Sequence, residues 1–127
     1  MITNEQSITI EECPSIQIGP KPWGEELLLA HTRHYTLKRL TYLAGASGAL
    51  QHHVEKDEAF HLHSGAAWVD SDDGHGQIVR EKMRPGMTFH IPPGAPHRFT
   101  AITDCVVFEA STPHFDDRVD DSARYGE

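Results

Sequence analysis

Short alternating segments separated by glycine and proline turns are the feature that most constrains the fold of this chain. Alternation of apolar and polar residues predicts strands that bury one face. No segment shows a convincing helical period, so the fold class is all-β, an antiparallel sandwich or barrel. Strands are predicted at residues 26–31, 35–43, 51–53, 58–63, 66–70, 77–82, 87–91, 97–102 and 105–110.

The length of 127 residues predicts a single domain. We expect an N-terminal extension over residues 1–20, a barrel over 21–112, and an acidic tail over 113–127 that packs on the barrel. The extension adds an edge strand or lies across a partner subunit, and a short helical turn is expected near 120–124. The acidic residues of the tail are interpreted as a solvated surface. The extension has isoleucines at period two: Ile8, Ile10, Ile16 and Ile18.

Composition excludes several classes of function. A formal net charge of −8 argues against a nucleic-acid partner, although it allows a small anionic substrate. No apolar run approaches the length of a membrane helix, and no signal peptide is recognisable, so we expect a cytoplasmic protein with no membrane partner. Cys13 and Cys105 lack the spacing of a disulfide framework or a cysteine metal site.

A dense polar cluster at residues 51–58 is the candidate site. Alternate residues of a strand share a face, so Gln51 and His53 point the same way and His52 points the opposite way. Glu58 re-enters beside the first two after a charged loop at 54–57.

His97 stands first on a strand, directly after a rigid turn at residues 92–94. Together, Gln51, His53, Glu58 and His97 offer an amide oxygen, a carboxylate and two imidazole nitrogens. Such a set suits first-row divalent ions and leaves coordination positions for water or substrate. The alternative is that Gln51, His52 and His53 belong to an ordinary polar loop. The spacing alone leaves both the metal site and the polar loop open.

Other inward-facing side chains are candidates for a substrate pocket. Lys38 shares a strand face with Leu40 and Tyr42, and a buried lysine needs a partner. We expect Lys38 to hold a substrate anion or hydroxyl beside Tyr42, or else to extend its amine out of the barrel mouth. His90 is placed at the pocket rim. Glu109 is a candidate base if it faces inward, but its strand phase is ambiguous.

The chain resembles both signature motifs of the cupin superfamily. Gln51 replaces the usual first histidine, and this form is similar to the cupin domain of type II mannose-6-phosphate isomerases. Two flanks agree with that branch, at residues 21–26 and 116–126. The motifs comprise Gly48, Gln51, His53, Glu58 and Gly65, then Pro85, Gly86, Pro92, Gly94 and His97.

The resemblance implies a single-domain jelly-roll barrel, often a homodimer, with one divalent ion (Zn, Mn, Fe, Ni or Co) held by Gln51, His53, Glu58 and His97. It also implies isomerase or epimerase activity on a small sugar or sugar phosphate through an enediol. Within that chemistry, Lys38 and Glu109 are the catalytic candidates. The substrate-binding candidates are Lys38, Tyr42 and His90.

Two alternatives remain open, because the cupin barrel hosts many chemistries. One is an iron-dependent dioxygenase on a small organic substrate, which is disfavoured because oxygenases more often use three histidines. The other is a non-catalytic metal- or sugar-binding module. The residues after His53 also lack the His/Arg-rich run of the isomerases.

Overall fold

A computed structural model of the chain describes residues 7–10, 16–17 and 21–127. The described residues are all-β apart from one 3₁₀ helix, Ala123–Tyr125. No helix among them has the length and apolar character needed to cross a membrane. The strands are β1 (Ile16–Gln17), β2 (Gly24–His31), β3 (Thr36–Tyr42), β4 (Gln51–His53), β5 (Glu58–Ser64), β6 (Ala67–Asp72), β7 (Ile78–Met83), β8 (Thr88–Ile91), β9 (His97–Ala101), β10 (Cys105–Ser111) and β11 (Arg118–Asp120).

The strands form two antiparallel sheets. One has the order β1-β2-β3-β10-β5-β8 and the other has the order β11-β4-β9-β6-β7. Neighbours in space are often distant in the chain, as with β3 beside β10 and β4 beside β9. This connectivity is that of a double-sheet jelly roll. The predicted all-β jelly-roll class is confirmed.

Alternation along β3 and β10 decides which residues face the interior. Lys38, Leu40 and Tyr42 are buried, while the residues between them are more exposed. On β10, Glu109 is buried and pairs with Lys38 across the two strands. The ambiguous phase of Glu109 is therefore resolved as inward-facing.

An apolar core fills one end of the barrel. Leu62 is completely buried there, and Cys105 is a buried free thiol. Cys13 lies outside the described residues. The buried cluster consists of Leu40, Tyr42, Phe60, Leu62, Ala67, Met83, Ile91, Phe99, Ala101, Cys105 and Val107.

The two ends of the chain both join the sheets. β1 pairs with β2 at a sheet edge, while Ile8 and Ile10 are exposed and Ile18 lies outside the described residues. At the other end, β11 pairs with β4, and the interpretation of the acidic residues as a solvated surface holds for the exposed Asp116 and Asp120 but is wrong for the buried Asp121. Strand pairing brings tail carboxylates against β4, and Asp121 is only 4% exposed.

Candidate metal centre

The polar end of the barrel contains a cavity of about 740 Å³. Eight of its twenty lining residues carry a full charge when ionised, so the cavity suits a hydrophilic ligand. These residues are Lys21, Glu26, Lys38, Lys56, Glu58, Glu109, Asp116 and Arg118.

Three buried side chains from three strands converge at the inner wall of this cavity. His53 comes from β4, Glu58 from β5 and His97 from β9, and one ligand atom from each lies within 4.8 Å of the others. Nε2 of His97 lies 3.2 Å from Oε1 of Glu58, and Nε2 of His53 lies 3.6 Å from the same oxygen. The group could hold a metal ion.

Hydrogen bonds on the far side of each ring favour the tautomer that a metal requires. Nδ1 of His53 donates to Oδ1 of Asp117 at 2.9 Å, and Nδ1 of His97 donates to the carbonyl oxygen of Ala95 at 2.9 Å. A neutral ring then directs its Nε2 lone pair at Glu58. Burial lowers the pKa of His53, which favours the neutral ring. The Nε2 lone pairs of His53 and His97 and the carboxylate of Glu58 together form a set of ligands suited to a cation.

Gln51 lines the same cavity as these three residues. Its Cα is paired with that of His97 in the β4–β9 register. Oε1 of Gln51 and both carboxylate oxygens of Glu58 are buried without a hydrogen bond. Buried polar atoms are rarely left so, and a bound cation would satisfy Oε1 of Gln51 and Oε1 of Glu58, while Oε2 of Glu58 faces Nζ of Lys56 at 3.5 Å. The residues present therefore fit a divalent ion with nitrogen and oxygen ligands.

The turn before β9 positions His97. Gly94 has a φ of 84°, a left-handed conformation that favours glycine. Its N–H donates to the carbonyl oxygen of His53 at 2.7 Å, which ties the turn to β4. The two histidines thus have connected backbones as well as neighbouring rings.

A row of alternating charges runs from the metal centre into the barrel. Nζ of Lys56 lies 3.5 Å from both Oε2 of Glu58 and Oε2 of Glu109. Nζ of Lys38 lies 3.9 Å from Oε2 of Glu109 and 2.9 Å from Oε1 of Glu26. Each buried charge has neighbours of opposite sign, which offsets the loss of hydration.

Burial and these neighbouring charges shift the pKa values of the groups in the row. Burial raises the pKa of Glu109 to about 7. Burial disfavours the charged form of Lys56, yet Glu109 and Glu58 raise its pKa overall. Burial also opposes ionisation of Glu58, but His97 and Lys56 hold its pKa below the ordinary value. A carboxyl group that titrates near neutrality beside an ammonium group is suited to proton transfer.

Two of the three predicted substrate-binding residues line the cavity. Lys38 and Tyr42 line the cavity, and the ring of Tyr42 stacks on Trp23 with centroids 4.3 Å apart. His90 does not line this cavity but a second one of about 240 Å³, which also includes His97. The reason is strand register: His90 pairs with Ala59, which alternates with the inward Glu58. Nε2 of His90 instead contacts Asp57 at 2.5 Å.

Sequence reasoning missed two residues that complete the site. Lys56 lies in the predicted loop between β4 and β5, where strand alternation gives no orientation for its side chain. Its side chain is only 7% exposed. Asp117 carries no local signal either, because it reaches His53 across 64 positions of sequence through the β11–β4 pairing.

Comparison with protein families identifies the chain. A family model described as a cupin domain matches residues 38–110, which is more than half of the sequence. The chain belongs to the cupin family. Cupins commonly bind a divalent metal, and the His–His–Glu cluster of this one is consistent with that. A search of curated proteins found no match.

Solved structures resemble this cupin at low sequence identity, which shows the shared fold. KdgF from Halomonas sp. is 22% identical with a TM-score of 0.70, over 80% of this chain and 89% of that one. An RmlC-like cupin from Shewanella frigidimarina is 16% identical with a TM-score of 0.72, over 90% and 98%.

The capsular polysaccharide assembling protein CapF from Staphylococcus aureus is a third similar structure. It is 18% identical with a TM-score of 0.72, over 81% of this chain and 31% of CapF. The chain therefore spans about a third of CapF. None of these three structures points specifically to the mannose-6-phosphate isomerase branch.

Proposed function

We propose that this cupin is a metal-dependent isomerase or epimerase acting on a small sugar or sugar phosphate through an enediol. The observation that carries the proposal is a buried Lys–Glu pair, Lys56 and Glu109, directly beside the His–His–Glu cluster in a charged cavity. Proton transfer between adjacent carbons needs a base of near-neutral pKa beside groups that stabilise negative oxygen.

The proposed metal ligands are Gln51, His53, Glu58 and His97. A mixed nitrogen and oxygen set is compatible with Zn, Mn, Fe, Ni or Co. A divalent ion bound there would supply Lewis acidity toward the carbonyl and hydroxyl oxygens of the substrate. The other cavity residues bind the substrate and move its proton.

Glu109 is the proposed base. Its carboxylate removes the proton from the hydroxyl-bearing carbon beside the carbonyl and returns it to the carbonyl carbon. A second proton passes from the hydroxyl oxygen to the carbonyl oxygen, and together the two transfers interconvert aldose and ketose. In epimerisation, the carbon that lost the proton is reprotonated on its other face. The ammonium groups of Lys38 and Lys56 flank Glu109 and are suited to donate hydrogen bonds to the enediol oxygens.

The cavity supports a carbohydrate substrate. A volume of about 740 Å³ falls within the usual range of small-molecule sites. Lys21 and Arg118 line it and are the cationic groups outside the buried row that an anionic substituent would meet. The polysaccharide-assembling role named for CapF is in keeping with a sugar ligand, although it belongs to that protein.

Proton exchange tests the proposal directly. The metal-loaded protein is incubated in D2O with mannose 6-phosphate, fructose 6-phosphate and the corresponding unphosphorylated sugars, and followed by NMR. We expect deuterium at the carbons next to the carbonyl, together with aldose–ketose or epimer interconversion. Absence of both from every sugar tested would contradict the proposal.

Substitutions distinguish the role of the proposed metal ligands from the role of Glu109 as the base. His53→Ala and His97→Ala should abolish stoichiometric metal binding, measured by elemental analysis, while the circular dichroism of the barrel stays unchanged. Glu109→Gln should retain the metal and lose deuterium exchange. Full metal occupancy in both histidine variants would rule out the proposed ligands.

The alternatives predict different outcomes in the same samples. An iron-dependent dioxygenase would consume oxygen with an organic substrate, and the charged cavity lining does not favour it. A non-catalytic module would bind sugar without exchange. The homodimer and the cytoplasmic location stay predictions; sedimentation of the purified protein tests the first.

A further inference from the structure

One carboxylate from outside the matched cupin region contacts the metal centre from behind. Asp117 lies beyond residues 38–110 and immediately before β11. Its Oδ1 accepts a hydrogen bond from Nδ1 of His53 at 2.9 Å, and its side chain is only 16% exposed. The far side of this histidine is therefore held by the C-terminal tail.

The second oxygen of the same carboxylate holds the loop that carries Lys56. Oδ2 of Asp117 accepts hydrogen bonds from the backbone N–H groups of Glu55 and Lys56, both at 2.7 Å. The carbonyl oxygen of Asp117 accepts a third from the N–H of Val54 at 3.1 Å. Three consecutive residues after His53 are thus fixed to one position of the tail.

The two sets of contacts reach different parts of the site. Through Oδ1, Asp117 sets the ring orientation and tautomer of His53. Through Oδ2, it sets the backbone from which Lys56 places Nζ 3.5 Å from both Glu58 and Glu109. Only a group with two acceptor oxygens can serve a histidine N–H and two amide N–H groups together.

We propose that Asp117 is a positioning residue that couples the orientation of His53 to the placement of Lys56. The proposal rests on the proposed metal site but is independent of the proposed substrate. It predicts that an asparagine, with one acceptor oxygen in place of two, leaves one set of contacts broken.

The tail contains a matched control. Asp121 contacts Nδ1 of His52 at 2.9 and 3.0 Å, so it repeats the carboxylate–histidine geometry on the adjacent residue of β4. His52, however, does not line the cavity. Asp121→Asn therefore perturbs the docking of the same tail on the same strand without touching a proposed ligand.

The experiment compares metal affinity among the full-length parent, Asp117→Asn and Asp121→Asn, by competition of Zn²⁺ with a chromogenic chelator. We expect Asp117→Asn to bind about 10- to 100-fold more weakly, the usual effect of losing the partner of a ligating histidine. Asp121→Asn should match the parent. The visible absorption of the Co²⁺-loaded form should change in Asp117→Asn alone.

Equal affinity and equal Co²⁺ spectra in Asp117→Asn and the parent would overturn the proposal, as would an equal loss in Asp121→Asn. A lower melting temperature of metal-free Asp117→Asn with unchanged affinity would also count against it, because that is a structural effect. A parent that binds no metal refutes the metal site and this proposal with it. If the parent binds metal but catalyses no exchange, only the proposed function fails, and the affinity ratio still decides the role of Asp117.

Discussion

The two ends of the barrel interior are built from the same strands but have opposite chemistry. β3, β5, β9 and β10 each have polar inward residues at one end and apolar inward residues at the other. The polar end has Lys38, Glu58, His97 and Glu109, and the apolar end has Leu40, Leu62, Ala101 and Val107.

The difference indicates a division between stability and chemistry. Burial of apolar side chains is the main favourable contribution to folding. Buried ion pairs contribute little, because lost hydration offsets their attraction, and apolar replacements are often neutral or stabilising. The charged end is therefore better explained by what it binds than by what it contributes to the fold. Three measurements test this contrast.

The largest expected effect lies at the apolar end. Leu62 has no exposed surface, so Leu62→Ala removes buried methyl groups and leaves a cavity. Such substitutions lower the free energy of unfolding by about 2–5 kcal/mol. Urea titration measures the loss, and metal affinity should stay unchanged in the folded variant. A change below about 1 kcal/mol would place the stabilising core elsewhere.

A smaller effect of opposite sign is expected at the charged end. The double variant Lys56→Met with Glu109→Leu removes both members of a buried pair and replaces them with apolar groups. In the metal-free state it should be at least as stable as the parent, with a gain of about 1 kcal/mol in the free energy of unfolding. The same variant should lose deuterium exchange.

The single variant Lys56→Met is the control for this pair, because it leaves Glu109 buried with Lys38 at 3.9 Å as its remaining cation. It should be less stable than the double variant. If the double variant is instead the least stable protein of the series, the charged row is a structural element and the contrast between the two ends is wrong.

The smallest effect concerns a buried charge outside the cavity. Asp70 accepts hydrogen bonds from Arg80 at 2.7 Å and Arg98 at 2.9 Å. Burial opposes its ionisation, but the two arginines hold its pKa below the ordinary 3.8. The unfolded chain therefore binds this proton at a higher pH than the folded protein does.

The stabilisation from Asp70 should be fully present above pH 3.8 and decline as the pH falls through its lower folded value. Urea unfolding from pH 6 to pH 3 should show a shallower decline for Asp70→Asn than for the parent, with no change in metal affinity at neutral pH. Parallel pH profiles would show that Asp70 makes no such contribution.

Strand phase allowed much of the site to be predicted from the sequence. Alternation put Gln51 and His53 on one face and His52 on the other, and it put Lys38 inside beside Leu40. These predictions succeed because the orientation of a side chain on a strand is a local property with a period of two. The rule does not extend to Lys56, which lies in the loop between β4 and β5.

What the sequence by itself determined is therefore the all-β fold, the cupin motifs, the three residues that converge at the cavity wall (His53, Glu58 and His97) and the position of Gln51 in the lining of the same cavity. Only the tertiary structure decided that Lys56 and Glu109 pair, that His90 lies outside the cavity, and that Asp117 holds His53. These facts depend on the register between strands that are distant in the chain. Register is set by the packing of the whole barrel, which no local pattern contains.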